Sequence, residues 1–152
     1  MEIEVSRRVA APAERVWRLT TDLAAAPTVL SGVDAVEVLA GGEPFDVGTR
    51  WRETRTMFGR SATEEMEVTD IDVGRRYTVV AESRGTRYET VVAVEPDGSG
   101  SRISMRFGAQ PSGVGGKVLA ATVGRLFAGS TRKMLRRDLD DIAAAAEAVS
   151  GG

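Results

Sequence analysis

The sequence predicts an α+β fold in which a curved, antiparallel, seven-stranded sheet wraps around one long C-terminal helix. Three observations point to it. Charged and apolar residues alternate over Glu2 to Val9 with the two-residue period of a strand. Between Val33 and Phe107, short alternating runs are broken at regular intervals by glycine. From about Lys117 to Val149, apolar side chains recur at helical spacing.

Each element follows in order. After the first strand, Ala11-Pro12 opens a helix running to Asp22, with Val16, Leu19 and Leu23 on one face and proline suited to the first turn. Pro27 and Gly32 stop its continuation, so Ala24 to Leu30 forms a second, short helix at an angle to it. Six strands then follow, with turns at Gly41-Gly42, Gly59, Gly74, Gly85 and Gly98 to Gly100. Gly113, Gly115 and Gly116 read as a hinge before the final helix, and Ser150-Gly151-Gly152 as a disordered tail. The sequence predicts one domain, residues 1–149, with the order β-α-α-β6-α.

Tight turns fix which residues pair, and pairing fixes which share a face. A two-residue turn at Gly59-Arg60 would set Met57 opposite Ala62, Arg55 opposite Glu64, Glu53 opposite Met66 and Trp51 opposite Val68. A turn at Val73-Gly74 would set Val68 opposite Val79. One at Arg84-Gly85 would set Val79 opposite Thr90 and Ala81 opposite Tyr88, and the loop from Pro96 to Ser101 would set Val92 opposite Met105. One face then carries Trp51, Met57, Met66, Val68, Tyr77, Val79, Tyr88, Val92, Val94, Ile103, Met105 and Phe107, with Glu53, Arg55, Glu64 and Thr90 among them. The opposite face is charged and faces solvent.

Composition narrows the chemistry. With 42% hydrophobic and 28% charged residues, the 152-residue chain has an ordinary globular balance and can bury a core without staples. It has no cysteine and no histidine, which removes disulfides, thiolate nucleophiles, zinc sites and Ser-His-Asp machinery together. No metal and no cofactor are expected. A net charge of −2, from 20 basic and 22 acidic residues scattered along the chain, gives no footprint for a phosphate backbone, so nucleic acid is not an expected partner. The N-terminus lacks the apolar stretch of a secretion signal and no run reaches membrane-spanning length; a cytoplasmic location without membrane insertion is expected.

The segment Ala11-Pro12-Ala13-Glu14-Arg15-Val16-Trp17 followed by Asp22, together with Gly48-Thr49-Arg50-Trp51, resembles the START-like helix-grip superfamily, specifically the bacterial polyketide cyclase/dehydrase group. The resemblance covers nearly the whole chain. It implies a helix-grip fold whose sheet and final helix enclose a cavity for an apolar molecule. The motifs themselves are structural: Val16 and Trp17 would anchor the first helix against the end of the sheet.

The candidate site is that cavity. Trp51, Met66, Tyr77, Tyr88, Thr90, Met105 and Phe107 are expected to line it from the sheet. Leu119, Val123 and Phe127 would line it from the first half of the helix, in a stripe with Leu126 and Met134. Leu135, Leu139, Ile142, Ala146 and Val149 form a second stripe, read as core. Glu53, Arg55 and Glu64 put charge on a face that should be apolar. They form a compensated cluster of Arg55 with both glutamates, a set near the open rim of the sheet, or a recognition set in which Arg55 holds a ligand oxygen and a glutamate accepts a proton. Tyr77 and Tyr88 add hydroxyls that orient a carbonyl or bond within the core. Arg132, Lys133, Arg136 and Arg137 are followed at once by Asp138, Asp140 and Asp141, and read as a solvated helix face with i,i+4 pairs.

Three functions fit. The first is binding of a small apolar, aromatic or lipid-like metabolite. The second is a polyketide cyclase, aromatase or dehydratase using the same cavity, with Glu53, Arg55 and Glu64 as catalytic candidates. The third is a structural or interaction protein with a filled core. A monomer or homodimer is expected in each case.

Overall fold

The computed structural model describes residues 2–57, 59–83, 85–111 and 114–148, with side chains over 2–56, 59–83, 85–110 and 129–148. The elements run β1 (Glu2–Val9), α1 (Ala13–Thr21), α2 (Ala26–Val29), β2 (Val33–Ala40), β3 (Arg50–Met57), β4 (Arg60–Asp72), β5 (Arg76–Ser83), β6 (Thr86–Asp97), β7 (Gly100–Pro111) and α3 (Val114–Ala148). All seven strands form one antiparallel sheet in the order β1-β7-β6-β5-β4-β3-β2. The meander is thus closed onto the N-terminal strand, and β1 and β2 are its edges. The helix-grip architecture expected from the sequence is the one observed.

The hydrophobic core lies between the concave face and the second half of α3. Val9, Val16, Val68 and Ile103 are fully enclosed, and Leu135, Leu139, Ile142, Ala143 and Ala146 supply the helix side. Val149, read with that stripe, lies outside the described residues. Val16 seats α1 against the sheet, while Trp17 meets Tyr77 edge to face at a centroid distance of 5.7 Å.

The faces follow the sequence reading, but two turns differ. The β3–β4 hairpin closes at Met57–Arg60, giving Arg55–Ala62, Glu53–Glu64 and Trp51–Met66 in place of Arg55–Glu64, Glu53–Met66 and Trp51–Val68. Gly59, at φ +76°, supplies the left-handed residue a tight turn needs, and it can do so from either central position. The β4–β5 connection is three residues long, from Asp72 to Arg76, yet Val68 still faces Val79, because a bulge between Val68 and Asp70 absorbs the extra residue. Val79–Thr90, Ala81–Tyr88 and Val92–Met105 pair as expected. Gly115 and Gly116 lie inside α3, not in a hinge before it, while Gly113 lies outside the described residues.

One close approach is demanding. A Cβ on Gly100 would sit 2.4 Å from the Val9 carbonyl oxygen, where β7 begins alongside the end of β1. The obstacle is backbone and cannot rotate away. Gly100→Ala is expected to cost about 1–3 kcal/mol through overpacking, read as a lower urea midpoint at unchanged slope.

Candidate functional site

Two charges on the inner face of β3, Glu53 and Arg55, meet Asp138 of α3. Arg55 spends each of its nitrogens on a carboxylate: Nε donates to Glu53 at 2.8 Å, while Nη1 and Nη2 donate to the two oxygens of Asp138 at 3.1 and 2.8 Å. The pairing with Asp138 is bidentate, the strong geometry for guanidinium and carboxylate. Glu53 also accepts from Trp51 Nε1 at 3.4 Å. Side chains of Asp138, Glu53 and Arg55 are only 5%, 10% and 19% exposed. Burial alone would lower the pKa of Arg55, but Asp138 and Glu53 more than offset this and hold the guanidinium above its ordinary value. Asp138 is raised by burial, with Arg55 countering only part of that.

Asp138 is the residue that sequence reasoning missed. It stands within the Asp138, Asp140, Asp141 run read as a solvated face, yet it is 4% exposed. The signal was helical phase: Asp138 lies three residues after Leu135 and four before Ile142, on the same inward stripe. The expected i,i+4 pairs of Arg136 with Asp140 and Arg137 with Asp141 give way to longer-range partners. Asp140 binds Arg7 on β1, and Asp141 accepts from both the backbone N–H and the hydroxyl of Ser31, which in turn accepts from Arg137.

Glu64 is not the partner of Arg55. It lies opposite Glu53 on the inner face, half-buried, and makes no hydrogen bond or ion pair among the described residues. Burial raises its pKa, the Glu53 charge adds to this, and Arg55 counters it. With a folded-state pKa above the unfolded one, Glu64 contributes stability that is present in acid and lost as pH rises through the folded value. The gain in unfolding free energy of Glu64→Gln over the wild type is therefore expected to grow from about pH 4 toward neutrality. Urea titrations at stepped pH check this, and a gain that shrinks as pH rises would contradict it.

The aromatic residues divide into two groups. Tyr77 is buried, and its hydroxyl donates to the Thr20 carbonyl at 2.9 Å, tying α1 to the sheet. Burial raises its pKa above the ordinary phenol value, although the bond to Thr20 opposes this. Phe45, from the β2–β3 loop, packs on Tyr77 and Trp51 at 4.8 and 6.1 Å between centroids. Sequence reading gave Phe45 no role; a lone aromatic in a glycine- and proline-rich loop carries no period that would point it inward. Farther along the inner face, Tyr88 stacks on Phe107 at 5.7 Å, and both remain half-buried, as do Met66 and Thr90. Trp51 and Met105 are buried. Leu119, Val123 and Phe127 lie outside the residues whose side chains are described, as does Leu126; Met134 packs partly buried against the core.

The arrangement is that of a helix-grip protein: a concave sheet, a gripping helix and a half-buried apolar stretch of wall between them. Residues 1–147 match the family model described as polyketide cyclase/dehydrase and lipid transport, and the chain belongs to that family. Solved structures agree on the fold. An aromatase/cyclase of a Streptomyces species superposes with a TM-score of 0.77 at 18% identity, covering 100% of this chain and 98% of that one. A START superfamily protein of Mycobacterium smegmatis gives 0.73 at 16% identity, covering 97% and 98%. A protein of Thermus thermophilus gives 0.69 at 25% identity, covering 95% and 99%. No curated protein sequence matches the chain. No helix among the described residues is long and apolar enough to cross a membrane.

Proposed function

We propose that this protein binds a small apolar or aromatic, lipid-like molecule between the concave sheet and α3. The observation that carries the reading is a change in packing along one face. Under the second half of α3 the face is closed by Val68, Val92, Val94, Ile103 and Met105, whereas Met66, Tyr88, Thr90 and Phe107 remain half-buried on the same face. A stretch of apolar and aromatic wall with few polar groups suits an apolar ligand. Trp51 and Tyr77 would close the inner end of the site, and Leu119, Val123 and Phe127 would meet the ligand from α3.

The test is a fluorescence titration with N-phenyl-1-naphthylamine, a neutral probe that brightens in apolar surroundings. Saturable binding near one probe per chain is expected, weakened by Phe107→Asp in a variant shown to be folded. Absence of saturable binding overturns the reading.

The family description supports a second reading, cyclisation or dehydration of a polyketide-like substrate in the same cavity. Glu53 and Arg55 are committed to each other, and Arg55 to Asp138 as well. Glu64, with its raised pKa and no partner among the described residues, is therefore the better candidate for moving a proton. Under that reading Glu64→Gln keeps substrate binding and loses turnover. We place the protein in the cytoplasm, as a monomer or homodimer without nucleic acid or membrane insertion. Light scattering on the eluted protein decides its oligomeric state.

A further inference from the structure

The charges on the inner face leave an imbalance that bears on what the cavity accepts. Glu53, Glu64 and Asp138 bring three carboxylates to this region, and among the described residues Arg55 is the one cation set between them. Three of the five N–H donors of Arg55 already point at Glu53 and Asp138, whose two carboxylates more than offset its charge, so it attracts an anionic ligand only weakly. Glu64 and Tyr88 are the opposite case: both are half-buried on the inner face, and neither carboxylate nor hydroxyl has a hydrogen-bond partner among the described residues. Groups in that position favour a ligand that satisfies them and penalise one that repeats their charge.

We infer that the cavity selects apolar molecules whose polar group is a neutral or cationic hydrogen-bond donor, such as an alcohol, phenol or amine, and discriminates against carboxylates, with Glu64 as the residue that sets the preference. This rests on the ligand-binding reading above and adds to it the chemistry of the ligand's polar end. Glu64 accepts the donor, while Tyr88, two strands away on β6, is a second hydroxyl on the same face without a hydrogen-bond partner among the described residues. A carboxylate brought to the same place would meet Glu64 with Glu53 opposite it on β3, and like charges so juxtaposed repel.

Three ligands that share one apolar chain and differ only in the polar end make the test. Dodecanol, dodecylamine and dodecanoate, each below its micelle concentration and near neutral pH, are used to displace N-phenyl-1-naphthylamine from the protein. Dodecanol and dodecylamine are expected to displace the probe at concentrations about tenfold or more below dodecanoate, as like-charge juxtaposition requires. In Glu64→Gln, an isosteric change at a half-buried position, the ratio between dodecanoate and dodecanol should shrink severalfold, because the amide still accepts from the alcohol but no longer repels the carboxylate. Equal or tighter binding of dodecanoate overturns the inference and leaves ligand binding standing, and so does discrimination that persists unchanged in Glu64→Gln. If neither the probe nor any of the three binds, the cavity-binding reading itself falls, and this one with it.

Discussion

Arg55→Met is expected to destabilise the fold by about 3–5 kcal/mol at neutral pH, the usual cost of removing one partner from a buried ion pair. The loss arises less from the missing attraction than from what remains. Glu53 and Asp138, nearly enclosed, would face each other with no cation between them. The pKa of Asp138, already raised by burial, would then rise further, so stability would be present in acid and lost as pH rises through that value. The deficit against wild type should accordingly narrow as pH falls, which chemical denaturation at stepped pH can follow. A companion variant separates breaking the cluster from doing without it. Replacing Glu53, Arg55 and Asp138 together by apolar residues of similar volume should recover most of the loss, because no buried charge is then left unpaired. If Arg55→Met costs under about 1 kcal/mol, the triad is screened as a surface pair would be, and the burial assigned to it is wrong.

Leu139→Ala should cost about 2–5 kcal/mol, through lost transfer free energy and the cavity left behind. Leu139 is 1% exposed at the centre of the α3 stripe, between Leu135 and Ile142, against a sheet face that includes the fully enclosed Ile103. A regular sheet cannot collapse easily into a hole beneath one helix, so the upper part of that range is expected. The denaturation midpoint should fall with an unchanged slope. A cost below about 1 kcal/mol would mean the helix settles into the gap, and that the grip is looser than its burial indicates.

How much of this was legible in the sequence depends on which symmetry of the chain is asked about. Sliding a two-residue turn by one position changes each cross-strand partner by two. Side chains in a strand alternate with period two, so such a slide leaves every residue on its original face. That is why the inward set from Trp51 to Phe107 could be read correctly while Arg55 was matched with the wrong glutamate. A single glycine at position 59 is compatible with either hairpin register. The three-residue β4–β5 turn and its compensating bulge were likewise invisible, because they cancel at Val68 and Val79.

The charge cluster was half legible. Glu53 and Arg55 were found by face, but the third member comes from a helix distant in sequence, hidden in a run of charged residues that looks solvated. Treating α3 by angle instead of by composition would have put Asp138 inward with Leu135 and Ile142. The neighbours Asp140 and Asp141 find partners in Arg7 and Ser31, contacts more than a hundred residues apart that no local pattern encodes.

Those three aspartates together determine how α3 is clocked about its own axis. Within a single turn, Asp138 reaches β3, Asp140 reaches β1 and Asp141 reaches the α2–β2 connection, so the helix is keyed from different sides. Each residue of helix advances the azimuth by ~100°, so the rest of the helix inherits its orientation from this one turn. An insertion of one residue between Gly129 and Leu135 would leave the keyed turn in place and rotate everything before it by ~100°, whereas seven residues would restore the azimuth to within ~20° and displace it axially by ~10 Å. Angular phase, set here by three carboxylates at the far end of the helix, is therefore inherited by whatever face its first half turns toward the ligand.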